Sequence, residues 1–262
     1  MTFFNSIILI KIGGSTLGAS DTSLPDVAAL QRQGARPVIV HGGGNTVTEW
    51  MARQGTMARF VGGLRVTDAE SLEVATAVLA GLVNKQLVAS LATLGAKAVG
   101  LSGVDGGMVQ ATIGNPELGY VGTDLRIDAT AVIALVDAGY IPVISPISIH
   151  AADGSANAHH LLNVNADTVA GALAMALGAK DLVFLTDVAG IMDNNGRILE
   201  RILLAETEAL MTTGVVKGGM VPKLEACASA VAQGVNAHII DGRRPAALLE
   251  CLAGTAVGTT VV

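Results

Sequence analysis

Ser6-Ile7-Ile8-Leu9-Ile10-Lys11-Ile12 runs straight into Gly13-Gly14, and Arg36-Pro37-Val38-Ile39-Val40 runs straight into His41-Gly42-Gly43-Gly44. Both are short, β-branched, apolar runs that end in glycine, the pattern of a strand buried on two faces and closed by a tight turn. Glycine lets backbone N–H groups approach an anion without a Cβ in the way. Lys11 adds a positive charge beside the first turn. Together they predict phosphate chemistry near the N-terminus. The glycines do not follow G-x-x-x-x-G-K-[ST] or a G-x-G-x-x-G strand–helix turn, and the protein-kinase signatures are missing.

The same alternation continues outward. Strands are expected at 6–12, 36–41, 97–101, 142–145, 181–185 and 235–240. Helices are expected at 21–34, 43–54, 68–94, 127–139, 165–177, 205–213, 220–233 and 245–252. That order implies an α/β fold, a three-layer αβα sandwich with a largely parallel central sheet. Residues 106–126 read as an inserted β-hairpin around Gly114-Asn115-Pro116. A second short hairpin is expected over 147–163, with Asp153-Gly154 as its turn. The lobe boundary is placed near Gly178, giving lobes 1–178 and 179–262.

Composition narrows the function. Of 262 residues, 51% are hydrophobic and 15% charged, which is globular rather than disordered. Mean hydropathy is +0.56. The apolar residues nevertheless come in short runs, with no uninterrupted apolar stretch of membrane-spanning length, so no membrane partner is expected. The net charge of −6 and the scarcity of aromatics (one Trp, two Tyr, four Phe) argue against a nucleic-acid partner. Cys227 and Cys251 have no metal-like spacing. The N-terminus lacks a basic, cleavable leader pattern, so a cytoplasmic location is expected.

Three further segments hold candidate chemistry. In Gly62-Gly63-Leu64-Arg65-Val66-Thr67, Arg65 offers a guanidinium fork for a carboxylate. Thr67 or Asp68 caps the helix that follows. In Leu162-Asn163-Val164-Asn165-Ala166-Asp167, one helix cap needs one residue, yet Asn163, Asn165 and Asp167 all stand near it. In Lys217-Gly218-Gly219-Met220-Val221-Pro222-Lys223, glycines precede a helix N-terminus. There Lys223 opposes the helix dipole unless an anion is bound. The strand end Thr186-Asp187-Val188-Ala189-Gly190-Ile191 either lines a nucleotide site or is only a turn. The His159-His160 pair points to opposite faces of a strand and is read as structural or surface.

Taken in order and spacing, Lys11 to Gly14, His41 to Gly44, Gly63 to Thr67, Asn163 to Asp167, Thr186 to Gly190 and Gly219 to Lys223 resemble the amino-acid kinase family. The likeness covers nearly the whole chain and is nearest to the branch that phosphorylates N-acetyl-L-glutamate. It implies ATP-dependent phosphorylation of that side-chain carboxylate, in arginine biosynthesis, with the N-terminal lobe holding the amino acid and the C-terminal lobe ATP. Carried over by position, Lys11 and Lys223 neutralise the transferring phosphoryl group and Asp167 orients them. Gly43, Gly44, Arg65 and Asn163 hold the substrate. Gly14, Asp187, Val188, Ala189, Gly190, Ile191, Met192, Val215, Val216 and Lys217 belong to the ATP side. A carboxylate nucleophile, with an ordinary pKa of about 4.3, needs no general base. No protein-held metal is expected, and Mg2+ would ride mainly on the ATP phosphates.

The likeness is not uniform. Pro222 directly precedes Lys223, and Lys217-Gly218 stands where an acidic or polar residue is more usual. Gly81-Leu82-Val83-Asn84-Lys85 also resembles the branch acting on carrier-protein-linked α-aminoadipate, which is one alternative. The other is a non-catalytic nucleotide-binding regulatory member, against which the intact Lys11, Asp167 and Lys223 argue. The Ala/Leu-rich helix at 68–94 needs a covered face, so a homodimer is expected. Only ten residues precede Lys11, and the resemblance ties arginine inhibition to an N-terminal helix. The expectation is a dimer that arginine does not inhibit.

Overall fold

The computed structural model describes residues 5–13, 22–151 and 160–262. Gly14, His159 and the Asp153-Gly154 turn lie outside the described residues. The N-terminal half opens with β1 (Ile7–Ile12), α1 (Ser23–Arg32), β2 (Arg36–His41) and α2 (Gly44–Arg53). Two-residue strands β3 (Phe60–Val61) and β4 (Leu64–Arg65) pair as a small hairpin. Then come α3 (Ala69–Thr76), α4 (Asn84–Thr93), β5 (Ala98–Ser102), β6 (Val109–Ile113), β7 (Val121–Ile127), α5 (Thr130–Asp137), β8 (Ile141–Ser145) and β9 (Ile147–His150). The chain continues through β10 (Leu161–Val164), α6 (Ala166–Ala176), β11 (Asp181–Thr186), β12 (Arg201–Ile202), α7 (Thr207–Thr212) and α8 (Val221–Ala232). It ends with β13 (Asn236–Asp241), α9 (Ala247–Leu252) and β14 (Thr259–Val261).

Eight strands form one sheet in the order β12-β14-β13-β11-β1-β2-β8-β5. The run from β5 to β13 is parallel, while β14 is antiparallel to β13. Both faces are covered, which explains why β1 reads as a continuous apolar run. Ile8, Ile10 and Ile12 enter the cluster that includes α1, α3 and α4, and Leu9 enters the one that includes α6 and α8. By the period of two, Lys11 shares a face with Leu9 and so looks toward α6. Each cluster draws residues from both sides of Gly178, so the core divides by sheet face and the sheet runs unbroken across that boundary.

The two hairpins interlock. β6–β7 and β9–β10 are antiparallel pairs, and parallel pairings of β6 with β9 and β10 with β7 close them into a four-stranded barrel. A Cβ on Gly122 would lie 2.8 Å from both Ala111 Cβ and Val164 Cγ2, so only glycine fits at this point of the barrel. The expected helix at 127–139 starts instead at Thr130, because β7 runs on to Ile127.

The expected long helix is continuous over Ala69–Thr93. It contains a π-helical stretch, Ala77–Val83, that the sequence pattern did not announce. By length and composition this helix could cross a membrane. In the fold its Leu72, Val78, Leu79, Val83, Leu87 and Leu91 are buried against the protein core.

Candidate active site

Asp167 joins lysines from both halves of the chain. Its Oδ1 lies 2.6 Å from Lys11 Nζ and its Oδ2 3.0 Å from Lys223 Nζ. Three local features set this up. Lys11 stands near the C-terminal end of β1. Asn165 caps α6, its Oδ1 accepting from the N–H groups of Asp167 (2.8 Å) and Thr168 (3.2 Å). Lys223 lies in the first turn of α8, where its Nζ also donates to Gly219 O at 3.0 Å. The crowding of Asn163, Asn165 and Asp167 thus resolves into separate tasks. Asn165 is the cap, and it sits just past β10 rather than sharing a strand face with Asn163. Asp167, in the first helical turn, keeps both oxygens for lysine and gains from the helix dipole.

Burial dominates the electrostatics. It pulls the Lys11 ammonium below its ordinary pKa, assisted by the nearby Lys223 charge and opposed by Asp167. For Asp167, burial pushes the carboxyl up, but the Lys11 and Lys223 ammoniums together hold it below the usual range. The triad is therefore one negative charge between two positive ones, and an anion docking there completes its balance.

Arg65 approaches from β4. Its Nη2 donates to Gly44 O and to Thr48 Oγ1, each at 2.8 Å, and its Nη1 reaches Met51 Sδ at 3.4 Å. The Phe60 ring stacks on the guanidinium at 4.7 Å. Burial lowers the Arg65 pKa, though an arginine stays charged. Asn163 donates from Nδ2 to Thr67 Oγ1 at 3.2 Å, which leaves its Oδ1 for another partner. Lys11, Gly43, Gly44, Arg65, Asn163 and Asp167 all line one cavity of about 210 Å³, with Leu64, Leu79 and Phe60 as apolar wall. Sequence reasoning missed Thr48 and Phe60. Thr48 had no signal; Phe60 had a Gly62-Gly63 turn beside it that reads as a hairpin tip.

Among the described residues, those expected on the ATP side do not line this cavity. Asp187 is exposed just past β11, and Val188 and Ala189 are half-buried beside it. Gly190 is buried, and Ile191 is a core residue whose N–H donates to Thr259 Oγ1 at 2.8 Å. Met192 is exposed and bridges to Ile198. Val216 also packs in the core, so Ile191 and Val216 have no side chain to offer a ligand. Val215 is half-buried, and Lys217 is exposed immediately before the turn that leads to Lys223. The β11 end lies beside the β1 end that carries Lys11, at the edge where open parallel sheets bind ligands.

Sheet order and cavity position define an α/β protein with a lysine- and arginine-lined cavity at the C-terminal edge of a parallel sheet. The chain matches the amino acid kinase family over residues 6–241 and belongs to that family. It is 46% identical over 257 residues to the acetylglutamate kinase of Dehalococcoides mccartyi strain BAV1, covering 98% of this chain and 94% of the relative. It is 45% identical over 275 residues to the acetylglutamate kinase of Methanothrix thermoacetophila, covering 99% and 93% respectively. Among solved structures, N-acetylglutamate synthase from Neisseria gonorrhoeae, complexed with coenzyme A and N-acetyl-glutamate, superposes with a TM-score of 0.84 at 26% identity. That match covers 99% of this chain and 60% of the other.

Proposed function

We propose that this protein transfers the terminal phosphoryl group of ATP to the side-chain carboxylate of N-acetyl-L-glutamate, giving an acyl phosphate and ADP in arginine biosynthesis. The observation that carries this reading is the cavity that brings Lys11 and Asp167 together with Arg65, with Lys223 joined to it through Asp167 Oδ2. The relatives named acetylglutamate kinase match over nearly their full length, which supports the choice of substrate.

The acceptor carboxylate is ionised at neutral pH and attacks phosphorus directly. What the protein supplies is position and charge. Arg65, with Asn163 Oδ1, fits the α-carboxylate and acetamido N–H of the acceptor. Lys11 and Lys223 stabilise the charge that spreads over the transferring oxygens, and Asp167 keeps the two ammoniums apart and aimed. The Gly43 and Gly44 N–H groups offer hydrogen bonds to the reacting oxygens.

ATP is assigned to the side of Asp187 to Met192 and Val215 to Lys217, with Gly14 at the phosphate end, so residues 1–178 take the amino acid and 179–262 the nucleotide. Among the described residues no group of three His, Cys, Asp or Glu side chains could hold a metal, and both Asp167 oxygens already face lysines. Mg2+ is assigned to the nucleotide phosphates. A homodimer in the cytoplasm completes the reading. The dimer is supported by a groove beside the long helix, lined by Leu24, Val83, Leu87 and Leu94 together with Gln86, Ser90 and Thr93, with Leu94 more than a third exposed.

A coupled ADP-release assay with N-acetyl-L-glutamate, L-glutamate, α-aminoadipate and carrier-linked α-aminoadipate tests this. Turnover with the acetylated substrate alone is expected. Turnover only with a carrier-linked aminoadipate, or none with any acceptor, would sink it.

A further inference from the structure

His41 closes β2 on the face of the sheet opposite Lys11, since β2 pairs with β1 as Ile12 to His41 and Lys11 to Val40. The ring is fully buried. Its Nδ1 lies 2.8 Å from the carbonyl oxygen of Gly42, and its Nε2 lies 3.1 Å from Asn84 Nδ2.

Asn84 is fully buried too and opens α4, directly after the π-helical stretch. Its neighbours fix which way its amide points. The NH2 group also faces Val143 O at 2.8 Å and Leu101 O at 3.1 Å, while Oδ1 accepts from Lys85 Nζ at 2.9 Å. The two NH2 hydrogens are shared among these three acceptors, and an NH2 group cannot accept, so a proton on Nε2 of His41 would meet only a donor and Nε2 stays bare. A carbonyl oxygen only accepts, so Nδ1 carries the proton. Burial, with the Lys11 and Lys85 charges nearby, lowers the ring pKa to about 4, in line with a neutral imidazole.

The Gly42 carbonyl and the Gly43 N–H belong to one planar trans peptide and point in opposite directions. A ring that holds the carbonyl therefore turns the Gly43 N–H away from itself. The π-helical stretch presses on the same turn: Gly43 has φ 144°, and a Cβ there would lie 2.8 Å from Leu79 Cδ2 and 3.3 Å from Val83 Cγ2. Neither the Gly43 nor the Gly44 N–H meets an acceptor among the described residues. Both residues line the cavity with Lys11.

We propose that Asn84 and His41 are positioning residues. Asn84 fixes His41 as the Nδ1–H tautomer, and His41 holds the Gly42–Gly43 peptide so that the Gly43 N–H faces the reacting oxygens. The opposite tautomer would set a ring lone pair against the Gly42 oxygen and drive that peptide to rotate. The inference rests on the phosphoryl-transfer reading of the cavity.

Two measurements on the full chain test it. The first is the 15N spectrum of the imidazole in the unmodified protein at neutral pH, without substrate. Nδ1–H with a bare Nε2 is expected; Nε2–H, or a doubly protonated ring, overturns the proposal. The second compares His41→Asn with His41→Gln, using ATP and N-acetyl-L-glutamate. Asparagine can place an amide N–H where Nδ1–H stood, whereas glutamine reaches the Nε2 position. The glutamine variant is expected to turn over about tenfold more slowly than the asparagine variant, with KM values for ATP alike, a portion of what one lost transition-state donor costs. Asn84→Leu is expected to lower kcat alone and to add little on top of His41→Gln. Equal kcat in the two His41 variants, or a loss confined to KM, contradicts the device. If either variant fails to fold, the tautomer still decides. An inactive unmodified chain with Nδ1–H counts against the reaction, and an active one with Nε2–H counts against this inference.

Discussion

Lys11 and Asp167 meet at 2.6 Å with side chains only 6% exposed, one from the second-last residue of the first strand and the other from the first turn of a helix over 150 positions later. A buried ammonium is costly unless paired, so this contact fixes where β1 ends relative to α6. It also opposes the burial that works against the Lys11 charge.

Lys11→Ala is expected to reduce kcat about a hundredfold, the usual loss for one group acting on transition-state charge, with a much smaller change in KM for N-acetyl-L-glutamate. Steady-state kinetics checks this. A near-normal kcat would remove Lys11 from the reaction.

Asp167→Asn and Asn165→Ala separate chemistry from capping. Asn165→Ala removes the α6 cap and is expected to cost about 1 kcal/mol of stability, read as a lowered Tm. Asp167→Asn leaves that cap in place and removes the charge between the lysines, so its loss is expected mainly in kcat. The reverse pattern would mean that the carboxylate acts only in folding.

Arg65→Lys is expected to raise KM for N-acetyl-L-glutamate about tenfold or more, since charge-assisted hydrogen bonds contribute roughly 1.5–3 kcal/mol, and to leave KM for ATP nearly unchanged. Lysine cannot hold Gly44 O and Thr48 Oγ1 while also facing a carboxylate. An unchanged KM for the amino acid would place Arg65 outside the binding site.

His238 predicts a pH dependence of stability away from the cavity. Its Nε2 lies 3.6 Å from Asp181 Oδ1, and Nδ1 meets Thr260 Oγ1 at 3.1 Å. Burial alone would lower its pKa, but Asp181 and Cys251 beside it raise it to about 9. The folded state thus holds the proton more tightly than the unfolded state, whose pKa is about 6.5. The stabilisation is complete below pH 6.5 and is lost as pH rises toward 9, on the order of 3 kcal/mol in all. Tm should fall across that interval, and His238→Gln should flatten the fall. A Tm that rises with pH there would contradict the pairing.

Much of the fold was legible because strands such as Leu182 to Leu185 are short, continuously apolar and bounded by turn residues, and because the Gly42 to Gly44 run marks a turn. Lys11 was legible as a lysine among isoleucines, a place that demands a partner. The barrel was not, since the pairing of β6 with β9 joins segments far apart in sequence, and local pattern does not encode it. The π-helical stretch was hidden too, as its Leu79, Leu82 and Val83 fit an ordinary apolar helix. Asp167 was legible as one of three competing polar residues, and only the cap made by Asn165 shows which is which. Asn84 entered the sequence reading only within Gly81 to Lys85, with no role of its own, because its three acceptors come from β2, β5 and β8.

The central claim is that the product is an acyl phosphate on N-acetyl-L-glutamate. Incubation with ATP, Mg2+ and N-acetyl-L-glutamate in the presence of hydroxylamine tests it most directly, because hydroxylamine converts an acyl phosphate to a stable hydroxamate. One hydroxamate per ADP is predicted, with none when L-glutamate replaces the acetylated substrate. ADP formed without hydroxamate, or hydroxamate formed equally from L-glutamate, would contradict the account.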